Sequence, residues 1–192
     1  MKDTPSYLLL AVDLEMPLSL GTFFEDGIQH DSHITLLDSK KELDKDKLYE
    51  ASRQLKFLEF LEAAQKNDPI PVNDLFDLDY FPSGYVVLRL KENSSLYRYL
   101  KMVHFSLYNQ FQPITDFEDK FNAHITLAKS EMPKNVEGLE MVLKDSTVKF
   151  EDLLFSQETE KEGKFKVYDL TNYNSIDRYF RIQRLKNECN DL

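Results

Sequence analysis

Two copies of one short pattern, Ser32-His33-Ile34-Thr35-Leu36-Leu37 and Ala123-His124-Ile125-Thr126-Leu127, constrain this chain more than any other feature. Each alternates polar and apolar residues, and Ile, Thr and Leu suit a pleated, half-buried strand. Side chains at i and i+2 of a strand share a face. His33 and Thr35 therefore project together, about 6–7 Å apart along the chain, while Ile34 and Leu36 point into a core. The second copy repeats this with His124 and Thr126 on one face and Ile125 and Leu127 on the other. The chain has only four histidines. At average residue usage a matched pair of such motifs arises by chance on the order of once in several hundred chains.

If the two strands face one another across a cleft, two imidazoles and two hydroxyls converge there. Such a set suits hydrolysis of a phosphodiester with neither metal nor cofactor. One neutral imidazole takes a proton from water and the other, as imidazolium, donates one to the leaving oxygen, each transfer being worth about 10²–10⁴-fold. Histidine is the side chain whose ordinary pKa lets both forms coexist near neutral pH. The threonine hydroxyls donate hydrogen bonds to the non-bridging oxygens, where charge builds in the transition state. A single His-x-Thr in a strand is most often a histidine bonded at a sheet surface. Two with matched flanks favour a site.

The paired motifs resemble the signature of the 2H phosphoesterase superfamily, two His-x-Thr/Ser motifs on strands of two pseudo-symmetric lobes. That resemblance implies His33 and His124 as the acid–base pair and Thr35 and Thr126 as phosphate ligands. It also implies a bilobal fold with two antiparallel sheets lining a central cleft and helices on the outside. Phe121, three residues before His124, looks like the aromatic usual there. The substrate it suggests first is a 2′,3′-cyclic phosphate, at an RNA end or on a nucleotide, opened to a monoester. A 2′,5′-oligoadenylate or a cyclic signalling nucleotide is the alternative, because Ser-His-Ile-Thr-Leu-Leu also looks like the branch holding viral and animal 2′,5′-phosphodiesterases. A module that binds nucleotide or protein without turnover is a separate class. The presence of both histidines and both threonines argues against it, since binding alone needs no proton donor and acceptor.

Bulk properties set limits. A chain of 192 residues suggests one domain spanning residues 1–192. Thirty-four acidic against 24 basic residues give a net charge of −10. A general phosphate track for long nucleic acid needs clustered Lys and Arg, so the partner expected is a small nucleotide or an oligonucleotide terminus. No apolar run is long enough to span a bilayer, and the apolar stretch after Met1 is too short for a signal peptide and meets Asp13 at once. The lone Cys189 leaves no internal disulfide and no cysteine metal site. A monomer in the cytoplasm or nucleus is the simplest expectation.

Further candidates carry weaker signals. Tyr80, Phe81, Tyr168 and Tyr173 have the chemistry to stack on a base, although packing is the default for each. Arg178, Arg181, Arg184 and Lys186 form a local basic cluster, with Arg181 a candidate phosphate contact and a solvated strand face the commoner role. His30, three residues before His33, falls on the opposite face of a continuous strand. The same alternation argues against a metal site from His30, Asp31 and His33. His104 lies beside an apolar helical stripe and reads as structural.

The scaffold reads as α+β with antiparallel sheets. Strands are expected at Tyr7–Asp13 and Ile28–Leu37, then a capping box at Ser39 and Glu42 opening one helix from Lys41 to Asn67. Its stripe is Leu48, Ala51, Leu55 and Leu58, and Pro69 and Pro71 end it. Strands follow at Val72–Tyr80 and Gly84–Lys91 around a Pro82-Ser83-Gly84 turn. Ser94 or Ser95 caps a second helix, and Pro133 opens a short third one reaching Lys144. A hairpin, Val148–Gln157 with Lys164–Leu170, and a last strand, Asp177–Leu185, complete the order.

Overall fold

Strands form where apolar residues recur at every second position. In the computed structural model, which describes residues 4–24, 32–116, 120–159 and 164–172, these are β1 (Ser6–Glu15), β2 (His33–Ser39), β3 (Ile70–Pro71), β4 (Phe76–Phe81), β5 (Tyr85–Leu90), β6 (His124–Ala128), β7 (Thr147–Glu158) and β8 (Phe165–Asp169). All pair antiparallel, in the order β3-β7-β1-β2-β6-β5-β4, with β8 on the other side of part of β7. The α+β antiparallel expectation therefore holds. The expected pair of sheets is replaced by one hydrogen-bonded set with a narrow waist, because β2 and β6 register at a single pair, Ile34 opposite Ile125.

Five α-helices join this sheet: α1 (Lys45–Gln54), α2 (Phe57–Lys66), α3 (Val72–Leu75), α4 (Ser95–Phe111) and α5 (Val136–Lys144). One core receives Leu8 and Leu10 of β1, Ile34 and Leu36 of β2, and Ile125 and Leu127 of β6. Leu48 of α1, Phe57 and Leu61 of α2, Leu100 and Leu107 of α4, and Leu139 of α5 meet them there. Each fully buried side chain of this kind stabilises the fold by about 1.5–3 kcal/mol relative to exposure. None of the described helices is long and apolar enough to cross a membrane.

The expected helix from Lys41 to Asn67 is two helices. Lys56 sits between them in the left-handed region at φ 56°. In an unbroken helix Phe57 would lie about half a turn away from Leu48, on the solvent side. The break turns α2 so that Phe57 and Leu61 are buried on the same core as Leu48 and Ala51. The start also differs: Asp44 caps α1, its side chain accepting from the amides of Asp46 and Lys47 at 3.0 and 3.1 Å. Ser39 ends β2 buried and accepts from the Lys41 and Ile114 amides instead. The strand expected at Val72–Tyr80 starts with the helical turn α3, which buries Val72, and becomes extended only from Phe76. Asn135, rather than a turn at Pro133, caps α5.

Other expectations hold. Ser94 caps α4 through the Tyr97 amide at 3.0 Å, Gly84 occupies the β4–β5 turn at φ 87°, and β7 and β8 form the anticipated hairpin. The strand expected at Asp177–Leu185 and the start of the one expected at Ile28 lie outside the described residues.

Candidate active site

Both motif strands carry the same local design. Along His33–Leu37 and along His124–Ala128 the side chains run half-buried, buried, half-buried, buried, buried. In each, a bulge follows the threonine: Leu8 pairs with Leu37 but Leu9 with Thr35, and Val86 pairs with Ala128 but Val87 with Thr126. The extra residue breaks strict alternation one step beyond each hydroxyl. It sends Leu37 and Ala128 into the core and the next side chains, Asp38 and Lys129, back to the outer face.

At the waist, Ile34 and Ile125 are opposite and fully buried. Continuing that antiparallel register by one residue either way sets His33 opposite Thr126 and Thr35 opposite His124. By strand alternation all four side chains project from the face opposite Ile34 and Ile125. Two imidazoles and two hydroxyls thus form a four-cornered cluster on the face turned away from the core. All four are half-buried, accessible to a ligand yet partly shielded from water.

The environment of His124 is the more defined. Its Nδ1 lies 2.7 Å from the Asn122 carbonyl. A carbonyl oxygen only accepts, so Nδ1 carries the proton and Nε2 presents its lone pair. The Phe81 ring meets the imidazole edge-on at 4.8 Å. Burial pushes the pKa of His124 below the ordinary histidine value of 6.5. The Asn122 contact opposes that, while the positive charges of His33 and Arg89 add to it.

Arg89 stands opposite His124 on β5, its Nη2 2.6 Å from Asp79 Oδ2 and its guanidinium carbon 5.4 Å from the Phe81 ring centre. The sequence reading does not single out Arg89 or Lys129, whereas Phe81, a candidate for base stacking with packing as its default, lies against His124. The available signal was a lone arginine inside the apolar run Tyr85-Val86-Val87-Leu88-Arg89-Leu90.

The remaining candidates lie elsewhere. Tyr168 opposes Phe155 across β7 and β8 and stacks on it at 6.0 Å, with the Lys45 ammonium 4.7 Å over its ring. Phe155 is fully buried in the shared core and Tyr168 packs against that core, so Tyr168 is on the opposite side of the sheet from the His/Thr cluster and is not brought to it. Tyr80 alternates with Phe81 and faces away from His124. Tyr173, Arg178, Arg181, Arg184 and Lys186 lie outside the described residues, as do His30 and Asp31. His104 is buried, and its Nδ1 donates to the Leu36 carbonyl at 2.7 Å while its ring stacks on Phe121 at 5.1 Å. This fits the structural reading. Among the described residues no three His, Cys, Asp or Glu side chains gather as a metal set.

No protein-family model and no curated protein matches the chain. Among solved structures it is similar to a phosphoesterase at 17% identity, over 83% of this chain and 95% of that one, with a TM-score of 0.42. It is similar also to E. coli LigT complexed with 3′-AMP, at 16% identity over 84% and 95% of the two chains and a TM-score of 0.42. For E. coli LigT complexed with phosphate the values are 17%, 84%, 94% and 0.39.

Proposed function

We propose that this protein is a phosphoesterase that hydrolyses a nucleotide phosphodiester by two-histidine acid–base chemistry, with a 2′,3′-cyclic phosphate as first-choice substrate. The observation that supports this reading is the pairing of Ile34 with Ile125 between the motif strands, from which alternation turns His33, Thr35, His124 and Thr126 to the opposite face. His124 Nε2 takes a proton from the attacking water, a role suited to an imidazole held neutral by burial and by nearby positive charge. His33, as imidazolium, gives its proton to the leaving ribose oxygen as the P–O bond breaks. The water oxygen stays on phosphorus, and the product is a monoester. Thr35 and Thr126 donate to the two non-bridging oxygens, where they stabilise the transition state more than the ground state.

The test is a product screen run side by side with 2′,3′-cyclic nucleotides, 2′,5′-oligoadenylate and cyclic dinucleotides, in buffer containing a chelator. Turnover of the cyclic nucleotide should survive chelation and fall about 10²–10⁴-fold in His33→Ala and in His124→Ala. Undiminished turnover in the double variant would sink the assignment.

A further inference from the structure

The cluster is nearly two-fold symmetric, and its surroundings are not. Because both motif strands bulge at the same step, their neighbours correspond position by position. Ala11 opposes His33 where Arg89 opposes His124, and Tyr7 opposes Asp38 where Tyr85 lies beside Lys129. The two tyrosines match, but the charges do not. The His33 half carries a methyl group and a carboxylate at these positions. The His124 half carries a guanidinium and an ammonium.

Each cation on that half lies against an aromatic ring, Arg89 on Phe81 at 5.4 Å and Lys129 on Tyr85 at 5.9 Å, within the range of cation–π attraction. Asp79 holds one edge of the Arg89 guanidinium, which orients the fork and leaves its other N–H donors for a ligand. Arg89 and Lys129 are both exposed. Asp79 and Asp77 are the acidic neighbours of Arg89 on this face, so an anion there would be recognised by Lys129 and by the Arg89 donors that Asp79 does not engage.

We propose that Arg89 and Lys129 form a second phosphate subsite beside the reacting cluster, so that the preferred substrate is a nucleotide bearing a phosphomonoester in addition to the diester that is cleaved. This rests on the phosphodiesterase reading and narrows its substrate class. The monoester lies on the His124 side, and its nucleoside is flanked by Phe81.

The experiment compares kcat/KM for adenosine 2′,3′-cyclic phosphate with and without a 5′-phosphate, in the wild type and in the double variant Arg89→Ala, Lys129→Ala. The wild type should prefer the 5′-phosphorylated substrate about tenfold, the scale of charge-assisted hydrogen bonds to a phosphate. The ratio should fall toward one in the variant and shrink with added salt. Arg89→Lys should recover part of it, since charge returns without the fork. Equal use of the two substrates by the wild type overturns the subsite, as does a preference that persists in the double variant. If the wild type turns over neither, the phosphodiesterase reading fails, and calorimetric titration with adenosine 5′-monophosphate against adenosine decides the subsite alone. Tighter binding of the monophosphate that is lost in the double variant sustains it, and equal binding overturns it.

Discussion

A threonine two residues beyond a histidine is chemically modest until its hydroxyl is aimed. Thr35 and Thr126 share the face of the two histidines, and in the proposed mechanism each hydroxyl donates to a non-bridging phosphate oxygen. Thr35→Val and Thr126→Val keep the branched shape and remove the donor. Each should lower kcat about 10²-fold with a smaller change in KM, as measured by steady-state kinetics. In the proposed mechanism His124, as the base, sets the acidic limb of the pH profile. A base works only when unprotonated, and this imidazole is held below the ordinary value of 6.5 by burial first and by His33 and Arg89 after it. Activity should therefore persist below pH 6.5 and fall as pH drops through the lowered pKa. Arg89→Met removes one of the lowering influences, so the acidic limb of kcat/KM should move upward in pH. An unmoved limb would count against His124 as the base. The motif residues were legible because alternation alone settles which way they point. Arg89 was not, since its proximity to His124 depends on a strand pairing between segments far apart in sequence.

At the scale of elements, capping and backbone conformation give separable predictions. Asp44→Ala removes the side chain that accepts from two first-turn amides of α1 and should cost about 1 kcal/mol in urea unfolding. Gln112 ends α4 at φ 44°, a left-handed position that glycine fills without a Cβ penalty. Gln112→Gly should therefore stabilise by about 0.5–1 kcal/mol, while Gly84→Ala, at φ 87°, should destabilise by more than about 1 kcal/mol. Most elements could be read from periodicity and caps, Ser94 among them. The division of the long helix could not. A stripe of Leu48, Ala51, Leu55 and Leu58 looks continuous locally, and only the need to bury Phe57 and Leu61 on the shared core forces Lys56 into an unfavourable conformation. The helical turn at Val72–Leu75 hid for a similar reason, since burial of Val72 is a tertiary demand placed on a segment that looks extended.

For the molecule as a whole, two strand sets meet at one register pair while a common core lies beneath them. Ile34→Ala and Ile125→Ala should each cost about 2–5 kcal/mol, and Ile→Val at either position about 0.5–1.5 kcal/mol, by denaturant titration. The paired motifs announced two related halves. They did not reveal that the halves hydrogen-bond into one sheet, because the contact that joins them is one residue long. That narrow join has a mechanical consequence. A broad ladder resists twisting along many rungs, whereas here torsion between the halves is borne by one ladder rung, by the side chains packed beneath it, and by the bonds of Ile114 and Thr115 to the end of β2. Among those side chains, His104 bonds the Leu36 carbonyl within one motif and stacks on Phe121 ahead of the other. The relative twist of the two motif strands is thus left to these few contacts, and in the proposed reaction their compliance sets how closely the four side chains can hold a phosphate.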